Sequence, residues 1–382
     1  MAMQAYVVGG AVRDELLGLP VQDHDHVVVG ATPEQMAAAG FRPVGKDFPV
    51  FLHPKTQEEY ALARTERKTA PGYHGFVFHT SPDVTLEDDL VRRDLTINAM
   101  ARGDDGIVVD PYGGQRDLEA RLFRHVSEAF AEDPVRILRV ARFAARFAEF
   151  RVADETNALM RGMVEAGEAD ALVPERVWQE VARGLMERRP SRMFAVLRDC
   201  GALARIMPEL DALWGRPHPQ EADSGVRAMR VADRAAASGH TLAVRFAALV
   251  QDADAIDNLC KRLKVPNDCR DLALMTAREQ GSIGGVQGES AECLVALFSR
   301  CDAYRKPERF ADMLLALECA MLGGDFPQRP WLLGALDAAR GVNAGEVAAR
   351  CGDDKAKIPH AVLAARVEAV HAWMGQASGP LA

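Results

Sequence analysis

Residues 6–30 read YVVGGAVRDELLGLPVQDHDHVVVG, and the order of element types in this stretch decides how the N-terminal part folds. Tyr6, Val7 and Val8 are a short apolar run with β-branched side chains, which predicts a strand. The run halts at Gly9-Gly10, and Val12, Leu16 and Leu17 follow at helical spacing. A strand, a glycine turn and a helix start aim backbone N–H groups at an anion. The chain returns through Leu19-Pro20 into a second apolar strand with Asp23 and Asp25 at its mouth. Period two along a strand puts both carboxylates on one face. With Arg13 between the glycine turn and the carboxylates, the stretch points to a site for Mg2+ and a nucleoside triphosphate.

The rest of the composition bounds what surrounds that site. A chain of 382 residues with 48% hydrophobic residues predicts two or more domains with ample core. No apolar run approaches a membrane span, and no secretory pattern opens the chain, so neither a membrane nor an export route is expected. The seven cysteines begin at Cys200, contain no CxxC pair and are odd in number. That usage predicts reduced thiols in the cytoplasm rather than disulfides or a zinc site. A net charge of −9 gives no global signature for nucleic acid, so any RNA-binding surface must be local.

Up to residue 124 the pattern mixes strands and helices. Thr32, Pro33 and the residues to 39 read as a capped helix, and residues 50–53 and 59–63 as strands. Residues 65–75 (TERKTAPGYHG) are polar and broken by Pro71 and Gly72, which predicts a mobile loop. Residues 86–101 read as a helix and 107–109 as a strand. From His125 on, strand signals vanish and helices are predicted at 133–147, 155–165, 175–187, 191–200, 227–237, 241–250, 259–263, 267–278, 291–303, 307–322, 332–340 and 362–374. The predicted fold class is therefore α+β: a small mixed head over 1–124, a helical neck over 125–205, and a helical body and tail over 206–382.

Three further groups carry chemistry. Glu59 opens the strand EYALA and reads equally as a third metal carboxylate or as a surface glutamate on an edge strand. His24 and His26 flank the aspartates, but a hard-cation triphosphate site has no need of them. The glycine pair is followed by neither GK[ST] nor the GxGxxG spacing, which excludes P-loop and Rossmann readings. In residues 132–147 (EDPVRILRVARFAARF) the arginines Arg136, Arg139, Arg142 and Arg146 stripe one helix face. Such a stripe is commonly a solvated face, yet these arginines have few acidic partners one turn away, which leaves them seeking an external anion. Asp133 and Arg136 have a further use. Cytosine and adenine both present an exocyclic amine beside an unprotonated ring nitrogen, which a carboxylate and a guanidinium complement. Uracil and guanine present a carbonyl and a ring N–H there, so one Asp/Arg pair selects C and A without a nucleic-acid template. Arg92, Arg93, Asp94, Thr96 and Asn98 add cations and polar groups suited to triphosphate and ribose.

Taken in series, GGAVRDELLG with DHD at 23–25, EYALARTERK at 59–68, RRDLTINAMA at 92–101, DPYGGQRDLEARLFRH at 110–125 and EDPVRILRVARFAARF at 132–147 resemble the class II CCA-adding enzymes of the polymerase-β-like nucleotidyltransferase superfamily. The likeness is almost unbroken from Tyr6 to Arg151 and weaker through PERVWQE (174–180) and LRDCGAL (197–203). It implies a head, neck, body and tail, CTP and ATP as substrates, the 3′ end of tRNA as acceptor and Mg2+ as cofactor. By that resemblance Gly9, Gly10 and Arg13 contact the triphosphate, and Asp23 and Asp25 hold Mg2+ with Glu59 as the third catalytic carboxylate. Arg93, Arg139 and Arg142 bind the nucleotide, while Asp133 and Arg136 read its base. The 65–75 loop resembles the one linked to switching from C to A, and favours complete CCA addition.

One departure stands out. The bacterial long form of this family carries an HD phosphohydrolase domain after the body. Here residues 244–259 (VRFAALVQDADAIDNL) take that place, with Gln251-Asp252 where His-Asp would stand. Histidines are sparse around it, so this half is expected to be a tRNA-binding scaffold without phosphohydrolase activity. Scattered arginines such as Arg183, Arg188, Arg189 and Arg192 are candidates for the acceptor stem or for solvent. Rival readings are a poly(A) polymerase with the same head and a catalytically dead RNA-binding protein; the expected state is a monomer.

Overall fold

The computed structural model describes residues 3–44, 50–68, 76–352 and 354–377. The chain divides into two compact units, Met1–Glu187 with Arg192–Pro208, and Arg188–Ser191 with Glu209–Ala382.

In the first unit the opening stretch folds as β1 (Gln4–Val8), α1 (Gly10–Leu16) and β2 (Asp25–Val29). There follow α2 (Pro33–Ala38), β3 (Arg42–Val44), β4 (Val50–Leu52) and β5 (Glu59–Leu62). Thr32 caps α2 with a capping box and Pro33 in its first turn, as the sequence predicts. Next come β6 (Arg64–Lys68), β7 (Phe76–Thr80), α3 (Leu86–Leu90), β8 (Ala101–Arg102) and β9 (Val108–Val109). A seven-stranded mixed sheet has the order β3-β4-β5-β2-β1-β8-β9. Among the described residues only β2 and β5 run parallel within it; Asp25 sits opposite both Val8 and Glu59 in the register. One face packs Val8, Val27, Leu86, Leu90 and Ala101, and the other packs Val28, Met36, Phe51 and Leu62. This is the half-buried alternation that a strand period of two dictates.

Three expectations are corrected here. Residues 65–68 belong to β6, paired antiparallel with β7, rather than to a loop; the rest of that predicted loop, 69–75, lies outside the described residues. Residues 86–101 are not one helix: α3 stops at Leu90, and a single 3-10 turn follows at Thr96–Asn98. The break has a cause, since Asp94 accepts the Leu95 N–H at 2.8 Å and Leu95 is extended, bridging to His125. Strands also persist past His125, because after α4 (Gly114–Glu119) the short β10 (Leu122–Phe123) pairs in parallel with β11 (Arg151–Val152).

Between β10 and β11 lies α5 (Val135–Arg146), and α6 (Asp154–Glu165) and α7 (Pro174–Met186) follow. Helices α8 (Ser191–Asp199) and α9 (Ala202–Ile206) come next. The α5 helix buries Ile137, Leu138, Val140, Ala141, Ala144 and Ala145, so its apolar stripe is a packed seam and its arginines lie beside it.

The second unit is helical throughout among the described residues. It contains α10 (Pro208–Asp211, from Glu209 on), α11 (Ser224–Ala237), α12 (Leu242–Val250), α13 (Ile256–Leu263), α14 (Asn267–Ile283), α15 (Ala291–Arg300), α16 (Pro307–Cys319), α17 (Gln328–Arg340), α18 (Ala344–Arg350) and α19 (Ile358–Ala377). Phe246, Leu249, Phe298, Phe310, Leu314 and Leu332 are fully or almost fully buried, which identifies a core of its own. No helix among the described residues is long and apolar enough to cross a membrane.

Candidate active site

The glycine turn is enforced by its neighbours. Gly9 has φ +70°, and a Cβ there would lie 2.9 Å from Arg93 Nη1. Its N–H bonds the Met100 carbonyl at 3.1 Å. Only glycine meets both demands, a backbone conformation L side chains rarely adopt and a guanidinium against the chain.

Around this turn lies a cavity of about 600 Å3 lined by eight arginines and four aspartates, together with Gly9, Gly10, Asn98 and Phe143. Asp23, Asp25, Asp133 and Arg136 all line it, as do Arg13, Arg93, Arg139 and Arg142. The predicted residues are thus brought together, and the excess of cations suits a polyanion. Asp23 precedes β2 instead of belonging to it, so the argument from strand period fails in detail although both aspartates reach the same space.

Glu59 does not line this cavity. As the register partner of Asp25 it shares an adjoining recess with Asp23 and Asp25. Among the described residues no three acidic, histidine or cysteine side chains converge as a ready metal cluster. Asp23 and Asp25 are exposed, and among the described residues neither is in an ion pair, in a cavity crowded with arginines. Two carboxylates left for an outside cation are a fit for Mg2+, which takes one or two carboxylates and completes its shell with phosphate oxygens and water. His26 instead stacks on Tyr60, with ring centroids 4.0 Å apart.

The arginine stripe differs from expectation. Arg139 Nε donates to Asp94 Oδ2 at 2.7 Å, Arg142 Nε to Glu180 Oε2 at 2.6 Å, and Arg146 Nη2 to Asp14 Oδ2 at 2.7 Å. The stripe is therefore not left without acidic partners. They come from other elements, which a reading confined to one helix cannot see. Burial pushes the Asp94 carboxyl up, but Arg139 and the Asn98 amide outweigh it and hold it well below the usual range.

Arg13 is a brace. Its Nε and Nη2 bond Asp14 at 2.8 and 2.7 Å, and its Nη1 bonds Asn98 Oδ1 at 2.6 Å. Its guanidinium lies 5.1 Å from the Phe143 and Phe147 ring centres. Burial lowers its pKa despite Asp14. The Arg13 guanidinium, expected on the triphosphate, is thus largely committed to protein partners and buried between rings.

Asp133 Oδ1 accepts the Val135 N–H at 3.0 Å, which fixes the carboxylate at the start of α5. Arg136 donates Nη1 to the Ala129 carbonyl at 2.9 Å and Nη2 to the Arg92 carbonyl at 2.7 Å. These bonds hold the plane of its guanidinium. The sequence reading missed Asp14, Asp89 and Glu180 as the carboxylates that organise these cations. Asp89 pairs with Arg92 and Arg93 one turn away, whereas Asp14 and Glu180 reach Arg146 and Arg142 across 132 and 38 positions.

Residues 5–124 match the family model described as the poly A polymerase head domain, and residues 149–213 match the one described as a probable RNA and SrmB-binding site of polymerase A. The multifunctional CCA protein of Burkholderia lata is 63% identical over 406 aligned positions, covering 96% of this chain and 98% of the relative. That of Herminiimonas arsenicoxydans is 60% identical, covering 99% and 100%. Among solved structures, the Bacillus stearothermophilus CCA-adding enzyme in complex with CTP matches with TM-score 0.70 at 24% identity, over 98% of this chain and 93% of that one. A tRNA nucleotidyltransferase complexed with a primer tRNA and an incoming ATP analog matches with TM-score 0.62 at 24% identity, over 88% and 96%. The structural likeness carries the fold, and the sequence identity over nearly the full length carries the kinship: the chain belongs to the family of the multifunctional CCA proteins.

Proposed function

We propose that the chain adds C, C and A to the 3′ end of tRNA from CTP and ATP without a nucleic-acid template. The observation that carries the reading is one cavity holding both the Asp23/Asp25 pair and the Asp133/Arg136 pair. The terminal ribose oxygen of the tRNA bonds to the α-phosphorus of the incoming nucleotide. The bond from that phosphorus to the bridging oxygen breaks, pyrophosphate leaves, and the hydroxyl proton passes to water. Asp23 and Asp25 would hold Mg2+, which when bound would neutralise charge on the phosphates and lower the pKa of the attacking hydroxyl. The chain itself supplies position and a preorganised field. Gly9 and Gly10 let the backbone approach the triphosphate, with Arg93, Arg139, Arg142 and the remaining N–H groups of Arg13 around it. Asp133 and Arg136 read the base edge, and Glu59 stands beside Asp25 as the third carboxylate. We assign the catalytic head to 1–124, the neck to 125–205 and the tRNA-binding body and tail to 206–382, in a cytoplasmic monomer.

We further propose that the helical half lacks phosphohydrolase activity, although its relatives are named multifunctional. Asp252 is held in an ion pair by Arg227, and buried Gln251 donates its amide to the Ala248 carbonyl at 2.9 Å. A carboxylate already neutralised by an internal guanidinium is a poor metal ligand. The alignment with the Burkholderia relative also spans 406 positions against the 382 residues of this chain, so the relative carries stretches absent here.

The test of the main reading uses tRNA lacking its 3′ CCA. CTP alone should extend it by two cytidines, and CTP with ATP should complete CCA. A poly(A) polymerase would add no cytidine and would extend with ATP alone.

A further inference from the structure

The Arg136 guanidinium rests on two backbone carbonyls, those of Ala129 and Arg92, which come from segments remote in sequence. Arg136 is 9% exposed, so protein groups rather than bulk water set its plane. What holds the two carbonyls at a fixed separation therefore holds the guanidinium. Arg92 is anchored on its own side, because its Nη2 donates to Asp89 Oδ1 at 2.6 Å and Asp89 has no solvent exposure.

Ser127 joins the two segments. It is extended and precedes the 3-10 turn Glu128–Glu132. Its hydroxyl donates to the Val91 carbonyl at 2.9 Å and accepts the Ala129 N–H at 3.3 Å. A serine hydroxyl has one donor and two acceptor positions, so both bonds form at once. Val91 stands just past the end of α3, where a carbonyl has no helical N–H to receive. The next peptide carries the Arg92 carbonyl that takes Arg136 Nη2, and Ala129 itself carries the carbonyl that takes Nη1. The turn that Ser127 caps ends at Asp133, so one hydroxyl bears on both members of the Asp133/Arg136 pair.

We propose that Ser127 is a positioning residue for base selection: its hydroxyl fixes the spacing of the two carbonyls on which Arg136 rests. The proposal rests on the reading of Asp133 and Arg136 as the pair that meets the base edge. Ser127 does not line the nucleotide cavity, so it acts through Arg136. A carboxylate and a guanidinium complement an amino-bearing base edge only in register, because hydrogen bonds weaken steeply off line. Loss of register costs the matched base more than the mismatched one, which has no such bonds to lose. A plain helix-type cap behaves otherwise, since its loss lowers the stability of the turn and slows every nucleotide alike.

The experiment measures kcat/KM of the full chain for CTP and for UTP separately, with tRNA lacking its 3′ CCA, beside thermal melting. Ser127→Ala should lower kcat/KM for CTP about fivefold, the scale of one hydrogen bond, and leave that for UTP within about twofold of the parent. Ser127→Thr, which keeps the hydroxyl, should recover most of the CTP loss. If Ser127→Ala does not fold, Ser127→Cys, with its weak S–H donor, carries the same comparison. An equal loss with CTP and UTP, or a lower melting temperature at an unchanged CTP-to-UTP ratio, overturns the proposal and leaves Ser127 a cap. A parent indifferent to the base sinks the base-reading assignment and this proposal with it. A selective parent beside a Ser127→Ala variant of unchanged selectivity sinks the proposal alone.

Discussion

Arg139 Nε and Asp94 Oδ2, 45 positions apart in sequence, meet at 2.7 Å and tie α5 to the RRD segment of the head. Asp94 also accepts from Leu95 N–H and Asn98 Nδ2, and Asn98 accepts from Arg13. One buried carboxylate therefore sets the shape of the wall on which a nucleotide would lie.

Asp94→Asn should cost about 2 kcal/mol of unfolding free energy, less than the ~3–5 kcal/mol of a fully buried pair because Arg139 is 37% exposed. The depressed Asp94 pKa gives the effect a sign in pH. A carboxyl held below its unfolded value stabilises fully above the ordinary pKa of about 4 and loses that contribution as pH falls below it. Denaturant unfolding of parent and variant should show a constant gap from pH 5 to 8 that closes towards pH 2.

Gly9→Ala should lower kcat/KM for CTP by at least about tenfold, since a methyl would strike Arg93 Nη1 and the +70° φ is strained for alanine by about 1–2 kcal/mol. Thermal melting separates the two effects: a loss of a few degrees accompanies the strain, while the kinetic loss exceeds it.

Asp25→Ala should abolish incorporation and leave tRNA affinity within about threefold. Gel-shift titration beside the incorporation assay checks both. Loss of tRNA binding in step with activity would mean that Asp25 supports the fold and not the reaction.

Arg227→Ala should destabilise the second unit by about 1–3 kcal/mol, because it strands Asp252, whose side chain is 22% exposed. The parent protein should hydrolyse neither phosphomonoesters nor cyclic phosphodiesters with Mg2+, Mn2+ or Ni2+. Metal-dependent turnover that survives Asp25→Ala would contradict the scaffold reading.

The legible parts of this fold were those governed by local chemistry. Gly9 and Gly10 ended β1, Thr32 and Pro33 opened α2, and the apolar seam of α5 followed its 3.6-residue period. The Asp23 and Asp25 pair was visible because the two lie two residues apart beside that turn. What sequence did not disclose was remote pairing. Asp14 meets Arg146 across 132 positions and Glu180 meets Arg142 across 38, so the stripe looked unpartnered. The 86–101 helix was misread for a similar reason: Asp94 turns its carboxylate onto Leu95 N–H, and the Leu95–His125 bridge overrides helix propensity. β11 is two residues long and exists only through β10, which no periodicity reveals.

Offering CTP, ATP, UTP and GTP singly to the parent protein with tRNA ending before CCA tests the central claim most directly, because base choice is assigned to Asp133 and Arg136 alone. Cytidine should be incorporated at least about a hundredfold faster than uridine, and adenosine should enter only behind two cytidines, with guanosine refused. Comparable rates with UTP or GTP would contradict it.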